Sequence, residues 1–459
     1  AAFLPESNLE SDGLAQFASQ FLGHALGHCP GGNAPRLRAA DQAVLAPAGI
    51  QAKPGQLGGF TRAGLAGNDN DLVPANGIDD LPAVRCDGQL RIIAARGQRR
   101  FSVFHGRALY NFPMEFNFRS DNESPVAPAI LDALQKANSG TAWAYADDAL
   151  SNRLDSVFSD LFETETRVLP VSTGTVANSI ALASVTPPWG AVYCHRNAHI
   201  YNDEGGAPEF FGNGLRLETV DGPDGKMQAD RLETQLRDNE GHGVHSYEPG
   251  AVSITQVTES GTVYQPSEIQ SICDVAARHG MATHLDGARF GNAVVSLGCS
   301  PADISWKAGI AMLSFGATKN GCMAAEALLL FDQPELIDTA ERLRKRSGHL
   351  LSKMRYVSAQ LLAYVEGGLW LDLARSANEM AARFAQAVEK HPQARLEYPV
   401  EANEVFVNWS ATGFRKLEQA GMQFLIWPGH DDLARFVFSH SSSSDEVDAL
   451  CQALEKHAG

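Results

Sequence analysis

Two short stretches, residues 283–290 (THLDGARF) and 314–321 (SFGATKNG), constrain the fold more than any other part of the chain. In the first, residues 281–286 read as a strand that runs straight into Gly287, Ala288 and Arg289. In the second, the apolar strand 311–315 ends in a turn of small residues that carries Lys319. Each strand therefore delivers one charged side chain, Asp286 or Lys319, at or just past its C-terminal end. The flanking sequence keeps the same rhythm. Residues 168–171, 191–194 and 252–257 read as further strands, and 176–185 as a helix. Residues 266–280 are marked as a helix at both ends. Pro266 and Ser267 suit its start, Ile269, Ile272, Val275 and Ala276 share one face, and Gly280 stops it. Strands alternating with helices of this length predict an α/β fold on a mainly parallel sheet, with ligands at the strand C-termini.

A carboxylate and a lysine so placed are what pyridoxal 5'-phosphate (PLP) needs. The amine condenses with the cofactor aldehyde, and the carboxylate keeps the pyridine nitrogen protonated so that the ring accepts electrons. The run Ser172-Thr173-Gly174-Thr175 links the 168–171 strand to the helix after it. Backbone N–H groups and the helix dipole there face an anion, and Thr175 adds a hydroxyl, so the turn reads as a phosphate cradle. Alone this signal is weak, because many helices begin this way and bind nothing. It gains weight from Asp286 and Lys319 downstream in the same α/β run.

With 459 residues the chain is long enough to bury a large core, and 44% hydrophobic with 20% charged residues is an ordinary soluble composition. The sequence has neither an apolar run of transmembrane length nor a signal peptide, which makes the cytoplasm the default location. A net charge of −17 argues against nucleic acid, which needs a basic face. The seven cysteines (29, 86, 194, 273, 299, 322 and 451) are odd in number, scattered and without a Cys-x-x-Cys pair. They predict buried thiols and no zinc site or structural disulfides.

Residues 1–113 differ in texture. They contain no Met and no Trp, hold 15 of the 42 Gly, and carry nine Arg against one Lys. From Gly31 to Gly88 the apolar residues keep neither a helical nor a strand period for long. Such a segment offsets little of its ordering entropy by burial. The reading is a disordered leader, or upstream sequence read in frame before a start at Met114. The competing reading is a small extra domain with strands at 90–95 and 101–104.

Four stretches then carry a resemblance: Phe118-Arg-Ser-Asp-Asn122, Ser172-Thr-Gly-Thr-Val-Ala-Asn178, His284-Leu-Asp-Gly-Ala-Arg289 and Phe315-Gly-Ala-Thr-Lys-Asn-Gly321. In this order they resemble the L-threonine aldolases of PLP fold type I, from about Met114 to the C-terminus. The likeness is greatest to the bacterial branch with low-specificity threonine and phenylserine aldolases. It implies a large domain over 114–333 with a mainly parallel seven-stranded sheet, and a smaller α+β domain over 334–459. It also implies a homodimer or homotetramer with active sites at subunit interfaces. The basic run Arg342-Leu-Arg-Lys-Arg346, inside an amphipathic stretch at 335–366, reads as a solvated helix face or as a helix crossing to a partner.

The resemblance assigns roles. Lys319 is the Schiff-base lysine, and Asp286 pairs with the pyridine nitrogen, although an Asp after a strand also caps helices. Gly174 and Thr175 hold the phosphate. Arg289 and Arg435 grip the substrate carboxylate, the former as a bidentate partner, or else both sit in structural salt bridges. Ser120 helps bind that carboxylate or caps a turn. His199 stacks on the ring and takes part in catalysis; His195 competes for that role, and a hydrogen-bonded loop histidine is the plainer alternative. Tyr145 lies on a loop directed at the active site. In one place the chain departs from the pattern. Many members read Thr-His-Asn-Gly after the 252–257 strand, whereas this chain reads Thr258-Glu-Ser-Gly261. The base for the substrate hydroxyl is thus left open among His199, Glu259 and water. The expected reaction is retro-aldol cleavage of a β-hydroxy-α-amino acid to glycine and an aldehyde, with no metal. β-Elimination, transamination and a non-catalytic amino-acid sensor are the alternatives on the same scaffold.

Overall fold

The computed structural model describes residues 116–459, apart from 240, 242, 458 and 459, and before them only the backbone of four short strands. The chain divides into two units, Ala1–Ala108 and Leu109–Gly459. In the first, β1 (Ala83–Cys86) pairs with β2 (Gln89–Ile92) and β3 (Val103–Phe104) with β4 (Arg107–Ala108), both antiparallel. Strands β2 and β3 overlap the two expected for an extra domain; the rest of the leader expectation lies outside the described residues.

In the second unit a short strand, β5 (Phe116–Asn117), precedes a seven-stranded sheet. That sheet consists of β6 (Thr166–Val171), β7 (Gly190–His195), β8 (Arg216–Val220), β9 (Glu248–Thr255), β10 (Ala282–Gly287), β11 (Met312–Gly316) and β12 (Glu326–Phe331). Their order across the sheet is β6-β12-β11-β10-β9-β7-β8, and only β12 runs against the others. Every strand read from the sequence is present, lengthened or shifted by a few residues. Helices cover both faces, so the strands are apolar on both sides, as buried parallel strands must be. In β12, Ala327, Leu329 and Phe331 pack on one face, while Leu328 and Leu330 pack on the other beside Ile180 and Ala181 of the helix Gly174–Val185. On the first face Phe158, Phe162, Phe290, Phe315 and Trp370 form an aromatic cluster with ring centroids 5.3–6.4 Å apart.

A second core forms around a four-stranded sheet of β13 (Arg395–Leu396), β14 (Glu404–Asn408), β16 (Leu425–Ile426) and β17 (Leu433–Val437). The remaining strand, β15 (Met422–Gln423), pairs in parallel with β5, and Phe118 just after β5 is buried in this core. The helix Leu369–Lys390 joins the two cores, with Trp370 in the first and Phe384 and Val388 in the second.

The single amphipathic stretch expected at 335–366 is two helices, Ile337–Arg346 and Arg355–Val365. The first stops at Ser347-Gly348, where Gly348 adopts φ +82°, a left-handed conformation suited to glycine at a helix end. Arg342, Lys345 and Arg346 are exposed as a solvated face requires, but Arg344 points inward and is buried. Cys194, Cys273 and Cys322 are buried thiols; Cys299 and Cys451 are half-buried. Among the described residues no helix is long and apolar enough to cross a membrane.

Candidate active site

Because β6, β7, β9, β10 and β11 run the same way, their C-termini share one edge of the sheet. The antiparallel β12 brings its first residue, Glu326, to that edge as well, opposite Gly316 and Val171. Asp286 lies near the end of β10, 4% exposed. Its Oδ1 accepts from the Ala288 N–H at 3.1 Å, and its Oδ2 accepts from Asn178 Nδ2 at 3.0 Å. The same amide nitrogen donates to Glu204 Oε1 at 2.8 Å, and that oxygen lies 3.0 Å from His199 Nδ1. A continuous chain thus runs from Asp286 through Asn178 and Glu204 to His199. The Glu204 bond pushes the His199 imidazole up from its ordinary value, and burial pushes the Glu204 carboxyl up. Asn178 and Glu204 were not expected. Asn178 stands in the quoted Ser-Thr-Gly-Thr-Val-Ala-Asn run, where it reads as an ordinary helix residue.

His195, the competing histidine, faces backbone on both ring nitrogens: Gly222 O at 3.1 Å from Nε2, and the Asn197 N–H at 3.1 Å from Nδ1. Both of its ring nitrogens are thus taken up by backbone. His284 is buried across three strands, with Nδ1 2.9 Å from Ser253 Oγ on β9 and Nε2 2.9 Å from Ser314 Oγ on β11. Burial pushes it down to about 4, so it stays neutral and ties the strands beneath Asp286 together.

Lys319 sits half-buried in the turn Thr318–Asn320 after β11. Glu326 accepts the Ala317 and Thr318 N–H groups at 3.2 and 3.3 Å, while Asn320 Nδ2 donates to Tyr364 Oη and Trp370 O at 2.7 and 2.8 Å. The turn is pinned on both sides of the lysine. Burial pushes the Glu326 carboxyl up to about 7. Lys319 and Asp286 both act on the charge of His199, so the three groups share one neighbourhood.

The helix Gly174–Val185 starts at Thr173, whose Oγ1 accepts the Val176 N–H at 3.4 Å. Among the described residues a side chain at Gly174 would meet no atom within 4 Å, so the helix N-terminus faces open space there beside Thr175. Ser172 Oγ lies 3.0 Å from His349 Nδ1.

The arginine end differs from its expectation. Arg289 is bidentate, but to Asp121: Nε to Oδ2 at 2.7 Å and Nη2 to Oδ1 at 3.0 Å. A buried guanidinium needs a buried counter-ion, and Asp121 fills the fork assigned to a substrate. The third nitrogen, Nη1, lies 3.2 Å from Glu404 Oε2. Arg435 Nη1 is 3.5 Å from Glu404 Oε1, and its guanidinium lies over the Trp427 ring at 5.6 Å. Burial would raise Asp121, yet Arg289 and Lys319 hold it below its ordinary value. Ser120 caps the turn Asp121–Glu123, accepting the Asn122 N–H at 3.2 Å. Glu259 is half-buried and acts on His199, Arg289 and Glu404. Tyr145 is half-exposed at φ 59°, with Lys345 over its ring at 4.5 Å.

These residues fit PLP on the structure's own terms. Asp286 keeps lone-pair capacity beyond its two donors, and a helix N-terminus opens onto free space at Gly174. Sheet, lysine turn and aspartate together define a PLP enzyme of fold type I. Residues 117–412 match the β-eliminating lyase family. The low-specificity L-threonine aldolase of Pseudomonas sp. (strain NCIMB 10558) is 40% identical over 334 residues, 72% of this chain and 95% of that protein. The Pseudomonas aeruginosa protein of the same name is 39% identical over 338 residues, 73% of this chain and 96% of its own. A solved threonine aldolase from Leishmania major superposes with a TM-score of 0.70 at 28% identity, covering 75% of this chain and all of that one. The chain belongs to the β-eliminating lyase family, within its threonine aldolase branch.

Proposed function

We propose that the protein is an aldehyde-lyase that cleaves L-threonine, L-allo-threonine or related β-hydroxy-α-amino acids such as phenylserine to glycine and an aldehyde. The observation that carries this reading is the chain Asp286–Asn178–Glu204–His199, which couples a ring-nitrogen partner to a candidate base. Lys319 would hold the PLP aldehyde, Asp286 its pyridine nitrogen, and Gly174 with Thr175 its phosphate. PLP supplies the sink for the electron pair released when the Cα–Cβ bond breaks.

The protein's own residues do the rest. Arg435 and the Nη1 edge of Arg289 bind the substrate carboxylate, Asp121 fixes Arg289, and Ser120 fixes the turn that carries Asp121. His199, aligned by Glu204, takes the proton from the β-hydroxyl as the aldehyde departs, and a proton returned to Cα gives glycine. We read 114–333 as the large domain and 334–459 as the small one, with Leu361, Tyr364 and Trp370 of the latter packed into the first core; the family match over 117–412 supports setting 1–113 outside the catalytic body. The same reading makes the enzyme cytoplasmic and a homodimer or homotetramer, and exposed Trp143, Tyr145 and Phe210 supply apolar surface for an interface. The test is product analysis with the PLP-loaded enzyme. Glycine with acetaldehyde from threonine, or with benzaldehyde from phenylserine, supports the reading; ammonia and a keto acid in their place overturn it.

A further inference from the structure

The arginine end holds one carboxylate more than binding a substrate there requires. Glu404, at the first position of β14, has a fully buried side chain placed between two guanidinium groups, 3.2 Å from Arg289 Nη1 and 3.5 Å from Arg435 Nη1. Among the described residues neither of its oxygens has a hydrogen-bond partner, so charge alone holds it. The charged groups facing it come from four other segments. Arg289 in the turn after β10 and Arg435 on β17 attract it, whereas Glu259 after β9 and Asp121 in the N-terminal segment repel it. Two cations and two further anions thus face Glu404, and Asp121 already takes the fork of Arg289 and the charge of Lys319.

A substrate carboxylate arriving at Arg435 and at the remaining edge of Arg289 becomes a fourth anion. In a buried site like charges this close do not all stay ionised. The proton goes to the fully buried carboxyl with the fewest donors, half-buried Glu259 keeping access to solvent. Asp121 takes hydrogen bonds from Arg289 and Asn403, while Glu404 takes none. Burial already pushes Glu404 up, against the pull of both arginines.

We propose that Glu404 is the resident counter-ion of the substrate-binding arginines, and that it takes up one solvent proton when an amino-acid carboxylate occupies the site. This rests on reading Arg435 as part of the carboxylate pocket. Linkage fixes the sign: binding that consumes a proton weakens as pH rises, by up to about tenfold per pH unit.

The experiment titrates glycine into the PLP-loaded enzyme by calorimetry, in buffers of different ionisation heat at one pH, for the wild type and Glu404→Gln. Protons that belong to the glycine amine are common to both and cancel in the difference. The expected result is up to about one proton more taken up by the wild type, and a flatter pH dependence of glycine affinity in the variant. Equal proton counts overturn the proposal. Glu404→Met, apolar and of similar length, is the second variant and must lose the same proton. Arg435→Ala separates the two readings. Unchanged glycine affinity removes the pocket and the proposal together, whereas weakened affinity with equal counts in the Glu404 variants removes only the proposal.

Discussion

At the ring end of the site, Asp286, Asn178, Glu204 and His199 are joined by hydrogen bonds of 2.8–3.0 Å, and each lies on or close behind the edge of one sheet. At the arginine end, Asp121, Arg289, Glu404 and Arg435 come from four distant segments. Arg289 follows a strand of the first core, whereas Glu404 and Arg435 lie on strands of the second, and Asp121 is three residues past Phe118 of that core. The ring end is thus a property of one sheet, and the arginine end a property of how two cores meet. Changes at the ring end should remove chemistry at little cost in stability. Changes at the arginine end should remove both.

The largest effect tests the first half of that contrast. Lys319→Ala should lower aldehyde release by at least about 10³-fold and abolish the visible absorbance of bound PLP. Its unfolding midpoint without cofactor should fall far less than that of an Asp121 variant, because among the described residues the amine makes no hydrogen bond or ion pair and acts on Asp121 only through its charge. A large loss of stability there would mean the lysine turn is also structural. The second half is tested by Asp121→Asn, which strips Arg289 of its bidentate counter-ion. Breaking a buried pair costs roughly 3–5 kcal/mol. Denaturant unfolding should show most of that loss, together with a raised KM; normal stability would break the comparison.

Glu204→Gln sharpens the ring end. Glu204 raises the His199 imidazole, so in the wild type the neutral base appears only as pH climbs past that raised value. The variant should shift the acidic limb of kcat/KM to lower pH and reduce kcat by less than the roughly 10²-fold at the low end for a general base, because His199 itself remains. The same linkage acts on stability. The bond to Glu204 favours folding below the ordinary histidine value of 6.5, and that contribution is lost as pH rises through the folded-state value. An unshifted limb would remove His199 from the proton path and leave Glu259 or water.

The contrast also explains what sequence reading reaches. Asp286, Lys319 and the Gly174 turn are legible because strand, turn and charge fall within eight or so consecutive residues. Asn178 and Glu204 lie three and five residues beyond Thr175 and His199, inside quoted or adjoining sequence, but polar residues there look like ordinary solvated positions. Glu326 escapes for a different reason: nothing in Glu-Ala-Leu-Leu-Leu-Phe says that the strand runs antiparallel and so brings its first residue to the active edge. Asp121 and Glu404 are illegible because their partners are 168 and 115 residues away from them at Arg289. The fork of Arg289 faces Asp121, the structural salt bridge that the sequence offered as the alternative, and that counter-ion has no signal near Arg289 in sequence.

The smallest effect belongs to Ser120, where the boundary of the arginine end is drawn. Its hydroxyl accepts one backbone N–H of the turn that carries Asp121, at 3.2 Å. Removing such a cap costs about 0.5–1 kcal/mol. Ser120→Ala should therefore lower the unfolding temperature by about 1–2 °C and change KM by less than about twofold. A rise in KM of roughly tenfold with an unchanged unfolding temperature would mean that the hydroxyl contacts substrate, a direct hydrogen bond to a charged group being worth about 1.5–3 kcal/mol. The arginine end would then extend one residue further, and Asp121 would be held by its own ion pair instead of by the cap before it.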